Sequence, residues 1–161
     1  MSSAYEELID GEVVLRSPPG QRHELICQRL HAILKDCLAE LRTVRLLEAR
    51  SLVQLSDGNQ FRPDLALVTV ATGKVFLAVE IVDSHDHKWD TVRKKQIYEE
   101  LRIPRLWMID PRYDNVEVYH ATEYGLVLQA ILANKEYLTE SLLPLLKLQV
   151  AELFRPPPAV N

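Results

Sequence analysis

Two apolar runs, DLALVTV (64–70) and KVFLAVEIV (74–82), are joined only by the short Ala-Thr-Gly at 71–73. Short, nearly continuous runs rich in β-branched residues suit strands covered on both faces, and the brief link makes them a hairpin. Such a sheet needs other elements against both of its faces, which constrains what the rest of the chain can be. Two carboxylates interrupt the pattern. Asp64 follows Pro63 and opens the first strand, and Glu80 lies between Val79 and Ile81 in the second, where an unpaired charge is costly. In a tight hairpin the start of the first strand lies near the end of the second, so Asp64 and Glu80 become neighbours.

The flanking chain supplies the cover. GEVVLR (11–16) has strand character and stops at SPPG (17–20). In 21–42, Leu25, Ile26, Leu30, Ile33, Leu34, Cys37, Leu38 and Leu41 recur at three- and four-residue steps, the signature of one helical face. Residues 43–55 read as strand, and SDGN (56–59) as a turn. A second helix is expected from about His87 to Leu101, ended by Ile103-Pro104. RLWMID (105–110) is a further buried strand, and NVEVYHA (115–121) with YGLVLQAIL (124–132) forms a second hairpin. LLPLLKLQVAELF contains a short helical segment, and RPPPAVN (155–161) frays. This order gives an α/β or α+β fold with a mixed sheet.

At 161 residues and 47% hydrophobic content, the chain suits one domain with a core over about 5–154. A net charge of −4 argues against a surface that binds phosphates by basic excess alone; if a basic surface exists, Lys88 to Lys95 with Arg102 and Arg105 carry it. Cys27 and Cys37 lie about 15 Å apart by helical rise, too far for a disulfide, and no CxxC pair offers zinc ligands. MSSAYEELIDGE has neither a basic n-region nor an apolar h-region, and no run is long enough for a membrane helix. A cytoplasmic protein with reduced thiols is expected.

Two carboxylates at one spot repel each other unless a proton or a cation holds them, and Mg²⁺ binds through such oxygens plus water. A metal there activates water against a phosphodiester. The plainer alternative has Glu80 facing solvent or pairing with an Arg. Asp90, Lys94 and Tyr98, at i, i+4 and i+8, form one helical stripe that can aim Lys94 at the carboxylates. An ammonium there can orient water or neutralise a phosphate oxygen; the alternative is an ordinary surface pair of Asp90 with Lys94. His85 and His87 with Asp83 and Asp86 can be drawn as a zinc site, but alternate residues in a loop seldom converge without a ligand held elsewhere. Ser84 or Asp86 as a helix N-cap explains the same stretch.

The ordered set YEELIDGEVVLRSPPGQRHELICQRL, FRPDLALV, LAVEIVDS, DTVRKKQIYEELRIPRLWMIDP and VEVYHATEYG resembles the Uma-type family of putative restriction endonucleases, within the PD-(D/E)XK nuclease-like superfamily. The resemblance spans about Tyr5 to Phe154. It implies a restriction-endonuclease-like three-layer α/β/α core with a mixed central sheet and an added β-hairpin. Asp64 matches the first acid of the motif and Glu80 the second, while Val82 stands where the usual lysine falls. Lys94 in the next helix matches a displaced lysine, and Asp90 and Tyr98 match the same helical pattern. Asp83 stands where similar members carry Ser, which adds a negative charge beyond the strand. His23 matches a family histidine; the alternative is a helix-start residue bonded locally.

The function implied is a Mg²⁺-dependent (or Mn²⁺-dependent) endonuclease acting on DNA, with Asp64 and Glu80 as metal ligands and Lys94 at the scissile phosphate. The competing expectation is a nuclease fold kept as a nucleic-acid or protein binding module without chemistry. Double-strand scission asks for two copies, so a homodimer is expected, with 115–132 as a candidate interface.

Overall fold

The structure, a computed structural model, describes residues 3–83 and 88–159. Its centre is the expected hairpin: β6 (Leu65–Thr69) and β7 (Val75–Ile81) run antiparallel, with Leu65 opposite Val79. After β7 the chain returns through α2 (Lys88–Glu100), so that β8 (Arg105–Asp110) lies parallel to β7 with Glu80 opposite Met108. Parallel neighbours require such a crossover. The hairpin of β9 (Asn115–Thr122) and β10 (Gly125–Ala133) extends the sheet antiparallel on that side, and β3 (Val44–Leu46) borders β6 on the other. The result is a six-stranded mixed sheet in the order β10-β9-β8-β7-β6-β3.

Alternation along β7 divides the interior into two cores. Leu77, Val79 and Ile81 point toward α1 (Gln21–Cys37), whose Ile26, Leu30 and Leu34 pack there with Trp107 of β8. Ala78 points the other way, toward Ile97 and Tyr98 of α2. That second face is shared with a four-stranded antiparallel sheet of β1 (Tyr5–Ile9), β2 (Glu12–Arg16), β4 (Val53–Ser56) and β5 (Asn59–Phe61), ordered β2-β1-β5-β4. Ile9, Val53 and Phe61 carry it into the α2 core. Helices thus flank the central sheet on both faces, with the smaller sheet beside α2.

The tips of the two hairpins of the smaller sheet touch: the Gly11 N–H donates to the Gly58 carbonyl at 2.9 Å. Gly58 has φ +83°, and a Cβ there would stand 3.2 Å from the Gly11 nitrogen. Gly58→Ala is therefore expected to lower stability by about 1–2 kcal/mol through the left-handed backbone alone, measurable as a reduced urea midpoint at unchanged slope.

Three segments differ from the sequence expectations. Residues 5–9, for which the sequence suggested no strand, form β1, paired with β2 from Tyr5↔Arg16 to Ile9↔Glu12. The first helix ends at Cys37 rather than 42, because Leu38 to Leu41 tighten into a turn (Leu41 N–H to Leu38 O, 3.0 Å) that reverses the chain into β3. In LLPLLKLQVAELF the expected short helical segment is α3 (Ala151–Phe154), whereas the residues before it form a strand that the sequence did not suggest: β11 (Tyr137–Glu140) and β12 (Leu143–Gln149) pair as a hairpin that buries Leu143, Leu146 and Leu148 against the α1 core. Cys27 is buried and Cys37 half-buried, and both are free thiols. Among the described residues, no helix is long and apolar enough to cross a membrane.

Candidate active site

The ladder register that sets Leu65 opposite Val79 places Asp64 beside Glu80 at the end of the central hairpin. Asp64 is 3% exposed, and its carboxylate is fully engaged. Oδ2 accepts the Ile81 N–H at 2.8 Å; Oδ1 lies 2.7 Å from His23 Nε2 and accepts from Arg50 Nη1 at 3.1 Å. Burial alone would raise the Asp64 pKa, but the His23 hydrogen bond and charge, the Ile81 amide and Arg50 together hold it below the ordinary value. His23 responds in the opposite sense: burial pulls its pKa down, the bond to Asp64 outweighs that, and Asp83 adds to the rise. Asp83 Oδ2 stands 3.6 Å from His23 Nδ1, so the histidine bridges two carboxylates.

On the opposite side of β7, α2 presents Asp90, Lys94 and Tyr98 on one buried stripe. Lys94 Nζ is 2.6 Å from Glu80 Oε1, and the Tyr98 hydroxyl donates to the same oxygen at 2.7 Å. Lys94 also donates to Glu7 Oε2 at 3.0 Å and Oε1 at 3.2 Å, with its ammonium 5.0 Å from the centre of the Phe61 ring. Asp90 does not pair with Lys94 on a surface, as the plainer expectation had it. Its Oδ2 lies 4.0 Å from Arg16 Nη1, and Asp90 and Lys94 are both buried.

Glu7 is the residue that the sequence reading missed. Its side chain is wholly buried, accepting the Arg62 N–H at 2.7 Å, with Arg16 Nε 3.6 Å away. A signal existed, since Tyr5, Glu7 and Ile9 share the inward face of a strand, which sets a carboxylate among apolar neighbours. Glu80 feels the charges of both Glu7 and Asp64. Burial, with the Glu7 and Asp64 charges, pushes the Glu80 carboxyl up to about 7 against the pull of Lys94. The Tyr5 phenol is raised by burial and by the same three carboxylates. Lys94 is raised despite its burial, because Glu80 and Glu7 favour the ammonium.

The Glu80 pKa is raised first by burial and then by the neighbouring Glu7 and Asp64 charges, which Lys94 only partly offsets. Among the described residues no three His, Cys, Asp or Glu side chains form a metal cage. Two carboxylates nevertheless fit Mg²⁺, which commonly keeps several waters and takes one or two protein carboxylates. A recess lined by Arg16, Glu80, Val82, Thr91, Lys94 and Lys95 opens onto Glu80. The expected basic surface on α2 is much reduced: Lys94 is internal, and Arg93 is bound to Asp10 at 2.6 Å and Glu100 at 3.0 Å. Ser84, His85, Asp86 and His87, the residues of the zinc and N-cap alternatives, lie outside the described residues.

Comparison with known proteins sets this geometry in a family. A solved structure of a putative nuclease belonging to DUF820 from Anabaena variabilis is similar at 15% identity, covering 92% of this chain and 89% of the other, with a TM-score of 0.77. That likeness shows a shared fold. A DrdV–DNA complex is similar at 17% identity over 64% of this chain and 12% of the other, with a TM-score of 0.37. No curated protein matches. The sequence model of Uma2, described as putative restriction endonuclease, matches residues 2–151, and the chain belongs to that family.

Proposed function

We propose that the protein is a Mg²⁺-dependent (or Mn²⁺-dependent) endonuclease that hydrolyses DNA phosphodiester bonds. One observation carries the reading: the β6–β7 register sets Asp64 across from Glu80 at the end of the hairpin, and Lys94 reaches Glu80 from α2 at 2.6 Å. Asp64 and Glu80 would hold the ion, which would supply activation of water and stabilisation of the departing oxygen. Lys94 meets the scissile phosphate and offsets its developing charge. His23 and Arg50 fix Asp64, while Tyr98 fixes Glu80, as positioning residues. Asp90 holds Arg16 beside Glu7, and Asp83 shares His23. The active form is a cytoplasmic homodimer, because each copy carries one set of these groups and two strands must be cut.

Asp64→Ala is the direct test. Purified protein incubated with supercoiled, linear and single-stranded DNA in Mg²⁺ or Mn²⁺ is expected to nick or cut, and the variant to lose this activity by about 10²–10³-fold. Sedimentation of the same samples is expected to give a dimer. A wild-type protein that leaves every DNA form intact in both metals ends the nuclease reading. The second reading, a binding module without chemistry, is supported by the ion pairs that occupy Lys94; DNA binding without cleavage, unchanged in Asp64→Ala, would establish it.

A further inference from the structure

We infer that Glu7 is a positioning residue that draws Lys94 off Glu80 so that a divalent ion can bind there. The inference rests on Glu80 being a metal ligand. In the structure one ammonium serves two carboxylates: Lys94 Nζ is 2.6 Å from Glu80 Oε1 and 3.0 and 3.2 Å from the two Glu7 oxygens. Lys94 therefore stands at Glu80 as an internal cation. A divalent ion at Glu80 repels that ammonium, which then needs another anion within reach, since an unpaired buried charge is costly. Glu7 is that anion. It is held from behind by the Arg62 N–H at 2.7 Å, so its carboxylate is fixed whichever way Lys94 leans.

Glu7 also comes from a different sheet than Glu80, β1 against β7, so the two carboxylates need not move together. Moving the ammonium from shared contact to Glu7 alone takes no new side chain and leaves Lys94 charged and buried beside the recess. The Phe61 ring, 5.0 Å away, supplies a face that tolerates the cation in either placement. Without Glu7, the ammonium has Glu80 as its remaining acidic contact and competes with the metal for it.

The test is Mn²⁺ binding to the intact protein, followed by electron paramagnetic resonance and calorimetry without DNA, with folding checked by circular dichroism. Glu7→Gln keeps the acceptor for the Arg62 amide and is expected to weaken Mn²⁺ binding by at least about tenfold, within the range of coupling between contacting residues. Lys94→Met added to Glu7→Gln is expected to restore affinity to within about threefold of wild type. Arg16→Met added to Glu7→Gln removes a charge that also neighbours Glu7 and is expected to restore little. Equal rescue by both overturns the inference, because a general field would then explain the loss. So does a Lys94→Met/Glu7→Gln protein that binds about tenfold more weakly than wild type, an outcome readable even if Glu7→Gln alone does not fold. Wild-type protein that binds no Mn²⁺ overturns the inference together with the metal reading, whereas Mn²⁺ binding with no effect of Glu7→Gln overturns the inference alone.

Discussion

Glu80→Gln protein is expected to be more stable than wild type at pH 8 in the absence of metal and, with Mg²⁺ added, to lose the proposed DNA cleavage by about 10²–10³-fold. The two effects share one cause. Burial and the Glu7 and Asp64 charges raise the folded Glu80 carboxyl from 4.5 to about 7. A carboxyl with a raised folded pKa binds its proton more tightly in the native state, so its contribution favours folding at low pH and is lost as pH rises from about 4.5 to about 7. The shift corresponds to about 3 kcal/mol across that window. Gln resembles the protonated acid and does not titrate, so the variant should be nearly neutral at pH 5 and gain most of that amount at pH 8. His23 also has a raised pKa and loses stability with rising pH, so the wild-type slope is not abolished. Urea denaturation at the two pH values checks this; equal stabilities of variant and wild type at pH 8 would refute it.

Lys94→Met should behave in the opposite way. It removes the ammonium between Glu7 and Glu80 and leaves the buried Glu7 carboxylate and the part-buried Glu80 carboxylate without the cation they share. Removing one partner of a buried ion pair typically costs about 3–5 kcal/mol, and that loss is expected at pH 8. At pH 5 Glu80 can take a proton and become neutral, so the loss should shrink. On the proposed mechanism, cleavage should fall by about 10²–10³-fold at either pH, because the cation assigned to the phosphate is gone. Thermal melts in chelator from pH 5 to pH 8 read the first effect, and a plasmid nicking assay reads the second. A variant as stable as wild type at pH 8 would mean that Lys94 carries little of the charge balance.

The sequence made the centre of the molecule legible because its cues are local. The hairpin of β6 and β7 follows from two apolar runs and a three-residue link, and the placement of Asp64 beside Glu80 follows from that hairpin. The stripe of Asp90, Lys94 and Tyr98 follows from helical spacing. What stayed hidden depends on contacts between distant segments. Glu7 sits in a five-residue strand whose partners, β2 and β5, had to be known before its inward face had meaning. LLPLLKLQ combines a three-residue step from Leu143 to Leu146 with a two-residue step to Leu148, so no single period marks it as strand. Asp83 looked like an isolated departure until α1 brought His23 to 3.6 Å from it.

The contact between Glu7 and Lys94 joins residues 87 positions apart. Bringing the ends of a flexible segment of that length together costs about 4 kcal/mol of loop-closure entropy, before any constant term. Asp64 and Glu80, only 16 positions apart by number, are brought together for about 2.5 kcal/mol on the same scale. The site therefore has a near half, which the hairpin assembles by itself, and a far half, which exists only once the first strand of the chain has docked beside the second helix. Loosening the N-terminal sheet should strip the candidate site of its far half while the central sheet stays intact, so that the proposed chemistry should be lost well before the fold.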